Sequence, residues 1–280
     1  MEWPDSKACA FALTVDFDAE EVWIGDDPEN AGRPGVLSQG AYGANVGVSL
    51  LLEMLESLGL TATFFVPGRV AERHRERVVA IIAAGLEVAL HGCTHRSPTA
   101  LTEEDERREL RSSLRVLREL GAEPAGYRSP SWDLSPHTLK LLDDESLRFT
   151  SNLMDDIRPY RHPGTGLVEL PVHWSLDDAP HFWFSGADWD RKIATPGEVR
   201  EIWEAEFEGI RRLGGLCVLT VHPQLIGRPG RIGMLGAFLE DVGSHADVWP
   251  AGCEEIAGHA AEVLPENEGG DGTMRGEGRR

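Results

Sequence analysis

A chain of 280 residues with 47 acidic and 27 basic side chains carries a formal net charge of −20, which argues against a nucleic acid or an anionic membrane as partner, since both need clustered Lys and Arg. Its hydrophobic fraction of 41% can bury a sizeable core, and its four scattered cysteines (Cys9, Cys93, Cys217, Cys253) form no Cys-x-x-Cys pair, so neither a disulfide frame nor a four-cysteine zinc site is expected. No apolar run reaches the ~18 residues that span a bilayer, and the opening MEWPDSKACAFALTV lacks the pattern of a signal peptide. A cytoplasmic location is expected.

Residues 9–17, CAFALTVDF, predict a first strand that runs into Asp16, Phe17 and Asp18. With a period of two, both aspartates project to one side. The following segment 25–45, GDDPENAGRPGVLSQGAYGAN, is long and rich in glycine and proline, and is expected to be irregular: a lid, a subunit contact or a disordered stretch. Glu20 and Glu21 before it read either as supports of a site or as solvated residues. Helices are expected near 46–58 and 70–84, around a strand at 61–66. The strand 87–91, EVALH, ends in His91, with His95 four residues on and Cys93 between them as packing. Helix 103–120 has the plainest pattern: a cap from Thr102 and Asp105, an apolar stripe of Leu110, Leu114 and Leu117, and the pairs Glu103–Arg107 and Glu104–Arg108. Strand 125–128 ends in Arg128, a helix is expected at 136–144, and 167–172 reads as a strand. Helices at 196–213 and 231–243 flank strand 216–222, which ends in His222. The tail from Pro265 has almost no apolar residues and is expected to be disordered. With no repeat or internal linker, residues 1–264 read as one domain and 265–280 as a tail.

Apolar strands alternating with amphipathic helices indicate a parallel sheet covered by helices. Four of these strands end in titratable side chains. In a parallel α/β barrel that rim is the active-site face. Two imidazoles and one carboxylate make a facial site for Zn²⁺ or a similar divalent ion. His91 and His95 can supply the imidazoles if their segment is helical, although such a pair standing alone is more often structural. Each aspartate alone reads equally as a functional carboxylate or as a plain loop residue or N-cap. The pair is not His-Glu-x-x-His, because Gly92 takes the glutamate position, so a general base must come from elsewhere. Asp16 is the candidate, facing water whose pKa a metal lowers from near 16 towards ~7. Trp132, Trp174 and Trp183 either wall a small pocket or belong to the core. His173 and His181 flank the 174–180 loop, and His74, His137, His162, His245 and His259 are expected at the surface.

TVDFDAE, HGCTH, GYRSPSWD, LVELPVHW and LTVHP, in this order and spacing, resemble the polysaccharide deacetylase (NodB-homology, carbohydrate esterase family four) superfamily over about residues 9–256. The resemblance implies a distorted (β/α) barrel, one divalent metal ion, expected to be Zn²⁺, and hydrolysis of a non-peptide carbon–nitrogen bond. It implies Asp16 as catalytic base, Asp18, His91 and His95 as metal ligands, Arg128 as the partner holding the base carboxylate, and His222 as general acid. A backbone N–H near Ser131 is the implied oxyanion donor; Trp132 and Trp174, read from their residue type as pocket walls, are the candidates to lie beside the substrate. Asp-Phe-Asp-Ala-Glu departs from the adjacent aspartates of many members. It resembles instead the branch of peptidoglycan-deacetylase-like proteins, cyclic imide hydrolases and allantoinase-type hydrolases, as do the long loop after the first strand, LVELPVHWSLDDAPHFWF and SNLMDDIRPY. Asp177 and Asp178 are the candidates for supporting the general acid. The expected substrate is a small cyclic imide, ureide or N-acyl molecule. The alternatives are an N-acetylated amino sugar or polysaccharide, and a metal-binding member without turnover. Expected partners are a small-molecule substrate and further copies of the chain in a dimer or tetramer, with no nucleic acid and no membrane.

Overall fold

The computed structural model describes residues 1–184 and 192–265; the tail expected from 265 onward lies, beyond its first residue, outside the described residues. In chain order the elements are β1 (Cys9–Asp16), α1 (Glu21–Asp26), α2 (Pro34–Tyr42), α3 (Val48–Leu58), β2 (Thr63–Val66), α4 (Gly68–Arg73), α5 (Arg75–Ala83) and β3 (Glu87–Leu90). They continue with α6 (Glu103–Glu119), β4 (Gly126–Tyr127), α7 (Thr138–Asp144), β5 (Phe149–Thr150), β6 (Tyr160–Arg161), β7 (Val168–Glu169) and α8 (Ala179–Phe182). The last are α9 (Pro196–Leu213), β8 (Leu216–Val221), α10 (Pro223–Ile226), α11 (Pro229–Ser244), β9 (Val248–Pro250) and α12 (Cys253–Val263).

The strands form one curled sheet in the order β6-β7-β5-β4-β3-β2-β1-β8, with β9 also pairing β1. All pairings are parallel except β6 with β7. At the β8 edge, Leu216 N–H donates to Ile157 O and Asp178 N–H to Thr220 O, so the two ends of the sheet approach each other in a distorted barrel. Alternation in β1 divides two apolar clusters. Phe11, Leu13, Val15 and Phe17 face the covering helices, whereas Ala10 and Ala12 face the interior with Phe65, Ala89, Ala125 and Phe149. Small residues low in the interior and polar ones at its mouth leave Thr14 and Asp16 facing inward at the C-terminal end.

Most of the expected helices form, and α12 (Cys253–Val263) is added to them. Thr102 Oγ1 accepts the Asp105 N–H and caps α6, whose Leu110, Leu114 and Leu117 are buried. Each such leucine contributes about 1.5–3 kcal/mol of burial. Glu103 pairs with Arg107, while Arg108 pairs with Asp105 rather than with Glu104. In α9 a complete capping box joins Thr195 and Glu198, and Val199, Trp203, Phe207 and Ile210 are buried. The expected helix 70–84 is broken at His74, which lies outside helical geometry.

One expectation is overturned. Segment 25–45 is not irregular: it holds α1, a 3₁₀ turn, α2 and a π-turn over Gly43–Gly47 that runs directly into α3. Two of its glycines, Gly40 and Gly43, lie on one buried helical face. Gly40, Gly43, Ala44, Gly47, Val48, Leu51 and Leu55 recur at three- and four-residue spacing and are all buried. A Cβ on Gly40 would come 2.3 Å from Ala19 O, so only glycine lets this helix lie against the loop that follows β1. His162, expected at the surface, is also buried and bonded to Glu169 and Thr150.

Candidate active site

Asp16 ends β1 and Asp18 lies two residues beyond; both are buried. Arg128, just past β4, is completely buried and every arm of its guanidinium is bonded. Nη1 donates to Thr14 Oγ1 and Asp16 Oδ1, each at 2.8 Å, Nε to Ser151 O at 3.1 Å and Nη2 to Ser151 Oγ at 2.9 Å. Its plane lies over Phe65, 4.2 Å from the ring centroid. A buried guanidinium must be paired and hydrogen-bonded, and here the pairing fixes one oxygen of Asp16. The other, Oδ2, stands 3.8 Å from His91 Nε2.

His91 Nε2 lies 3.3 Å from Asp18 Oδ1 and His95 Nε2 3.5 Å from the same atom. His91 Nδ1 donates to Arg128 O at 2.9 Å, which leaves the Nε2 lone pair free for a cation. Segment 91–95 is not helical. Gly92 (φ +68°) and His95 (φ +53°) adopt left-handed geometry, and this turn, rather than an i,i+4 helical face, converges the two rings. Ring centroids are 5.0 Å apart.

Asp18 Oδ1 is the telling atom. It is buried and accepts no hydrogen bond among the described residues. An orphaned carboxylate oxygen facing two imidazole nitrogens is costly unless something positive sits between them. Ligand atoms of Asp18, His91 and His95 all lie within 4.8 Å of one another, and the nitrogen–oxygen donor set suits Zn²⁺. Burial works against the charge of Asp18, but His95, His91 and His222 outweigh it and hold its carboxyl well below the usual range. These residues fit a divalent cation.

His222 follows β8 and brings Nε2 to 3.6 Å from Asp18 Oδ2. Its Nδ1 donates to Asp178 Oδ1 at 2.6 Å, while the same carboxylate accepts the His222 backbone N–H at 3.1 Å. Asp177 Oδ1 lies 3.6 Å from Nδ1. Burial pulls the imidazolium of His222 down, yet Asp177 and Asp178 outweigh it and raise its pKa well above the ordinary value. Burial pushes Asp177 itself up to about 7.

Ser131 is exposed, in the 3₁₀ turn Pro130–Trp132 just after Arg128, and both Ser131 (φ +62°) and Trp132 (φ +55°) are left-handed. Trp132 is buried and stacks on the half-exposed Trp174 with centroids 4.3 Å apart. Trp183 stacks instead on Trp23, at 4.8 Å. His173 and His181 both bond to Ser175 and hold the 174–180 turn. Cys93 is buried, its thiol pushed up to about 12 by burial, as a packing residue requires. Glu20 and Glu21 are buried, paired with His74 and Arg73 respectively.

Residues 42–150 match the family model described as polysaccharide deacetylase. A solved structure of a putative polysaccharide deacetylase from Mycobacterium smegmatis is 43% identical and superposes with a TM-score of 0.91, covering 95% of this chain and 94% of that one. The peptidoglycan deacetylase of Helicobacter pylori is 29% identical over 90% of this chain and 96% of its own length. PuuE allantoinase, at 22% identity and a TM-score of 0.81 over 93% of each chain, shares the fold.

Proposed function

The chain belongs to the polysaccharide deacetylase family, and on that premise we propose that it is a metal-dependent hydrolase that opens a non-peptide carbon–nitrogen bond in a small cyclic imide, ureide or N-acyl substrate. One observation carries the reading: the buried pairs Asp16–Arg128 and Asp178–His222 flank the orphaned carboxylate oxygen of Asp18 and its two facing imidazoles. A cation held by Asp18, His91 and His95 would supply Lewis acidity towards a carbonyl oxygen and a water. Asp16, aimed by Arg128, accepts the proton of the attacking water as its oxygen bonds to the carbonyl carbon. A backbone N–H at Ser131 is suited to receive the developing oxyanion. His222, oriented through Nδ1 by Asp178, gives its Nε2 proton to the nitrogen as the carbon–nitrogen bond breaks. The stacked Trp132 and Trp174 offer an apolar flank for a small ring.

No described helix is long and apolar enough to cross a membrane. All four cysteines are free and buried, which suits a reducing compartment such as the cytoplasm. A second reading, N-deacetylation of an amino sugar or its polymer, is favoured by the near full-length similarity to the peptidoglycan deacetylase. The two are separated by incubating zinc-loaded protein with succinimide, hydantoin and allantoin, and in parallel with N-acetylglucosamine oligomers. Ring-opening that a chelator abolishes is the expected result. Acetate release alone makes the second reading correct, and bound zinc with neither product leaves a binding protein.

A further inference from the structure

We propose that Glu109, on the inward side of α6, is a positioning residue that holds the His91–His95 turn ready to take a metal; the proposal rests on the metal reading given above. Its carboxylate reaches into the turn between the two imidazoles. Oε2 accepts the backbone N–H of Cys93 at 3.1 Å and of Thr94 at 2.8 Å, and Oε1 accepts the Thr94 hydroxyl at 2.8 Å. Two successive amides converging on one oxygen form a small anion-binding nest. The turn needs such a hold, because His95 has a left-handed φ of +53° that a residue with a side chain seldom adopts unaided.

The opposite edge of the turn is gripped by backbone: Gly68 N–H donates to Gly92 O at 3.1 Å and Arg69 N–H to Cys93 O at 2.9 Å. The two ligands are therefore fixed differently. The ring of His91 is anchored directly, through Nδ1 on Arg128 O. His95 takes its place from the turn, and the side chain that fastens that turn is Glu109. Without it the amides of Cys93 and Thr94 turn to water, His95 relaxes towards ordinary geometry, and its Nε2 moves away from Asp18 Oδ1.

The test measures zinc affinity of the whole chain by competition with a chromogenic chelator, with thermal unfolding recorded in parallel. Glu109→Ala is expected to weaken zinc binding 10–100-fold, as loss of a partner behind a ligand commonly does. Glu109→Gln, which keeps one acceptor oxygen, should fall between this and the unmodified protein. Thr94→Val removes one of the three bonds and should give a smaller loss. It also serves if Glu109→Ala does not fold. In the cobalt-loaded protein the visible ligand-field bands should change with Glu109→Gln. Affinities within two-fold of the unmodified protein in all three variants, even with lowered melting temperatures, would leave Glu109 a fold residue only and overturn the proposal. Failure of the unmodified chain to bind zinc would overturn the metal reading itself, and this one with it.

Discussion

Arg128 Nη1 lies 2.8 Å from Asp16 Oδ1, with both side chains removed from solvent, so neither group can lose the other without leaving a bare charge inside the barrel. Arg128→Met is expected to lower stability by about 3–5 kcal/mol in denaturant titration. Asp16→Asn keeps a near-isosteric acceptor for Arg128. It should reduce kcat by roughly 10²–10⁴-fold while leaving zinc affinity nearly intact. Zinc loss in Asp16→Asn would move Asp16 into the ligand set.

His95→Ala removes one of the two imidazoles that face Asp18 Oδ1. Metal-dependent turnover should vanish, with far-ultraviolet circular dichroism unchanged. Undiminished turnover in that variant after dialysis against a chelator would refute the assignment of the site.

His222 owes its raised pKa to Asp177 and Asp178 acting against burial. In the general-acid role proposed for it His222 must be protonated, so activity should be lost as pH rises through its pKa. Asp178→Asn removes one negative charge, disfavours the imidazolium and shifts the alkaline limb of the kcat profile to lower pH. An unmoved limb would mean that another group is the acid.

Glu87 opens β3 at the far end of the sheet, where it accepts the Thr63 hydroxyl at 2.7 Å and the Glu254 N–H at 3.1 Å. Burial pushes its carboxyl up to about 7, against bonds from Thr63 and Glu254 that pull it down. Between the ordinary carboxylate range and that value, the folded chain holds a proton that the unfolded chain releases. The stabilising contribution is full below about pH 4.5 and is lost as pH rises through 7. The loss is on the order of 1–2 kcal/mol, discounted because the side chain keeps some solvent contact. Denaturant midpoints measured from pH 5 to pH 8 should fall more steeply for the native chain than for Glu87→Gln. Parallel slopes would show that Glu87 does not titrate there.

Much of the candidate site is legible in the sequence because its residues lie at or just past strand ends. Largely apolar runs precede Asp16, His91 and His222, and a polar group closing a buried strand stands out; Arg128 follows a strand of only two residues. Segment 25–45 reads as a loop by its glycine content, whereas Gly40 in fact thins a helix face that must lie against Ala19. The two-residue strands Phe149–Thr150 and Tyr160–Arg161 are too short to display any period. Asp178 could be named only as a candidate, because its bond to a histidine 44 residues away comes from the pairing of the 177–178 segment with Thr220. Glu109 left no mark at all: in sequence it is one more acid in a charged helix.

The strand that carries Asp16 is hydrogen-bonded on both flanks, to β2 on one side and to β8 on the other, and the Phe17 N–H continues the ladder to Phe65 O. Backbone amides so enclosed exchange with deuterium only when the whole domain opens. Asp16, which leads into the site, thus sits on backbone that opens rarely, and that hold does not depend on a cation. Binding of the cation proposed for Asp18, His91 and His95 would then need no refolding of the chain, and adding zinc should quiet the 92–95 turn while leaving the exchange of β1 unchanged.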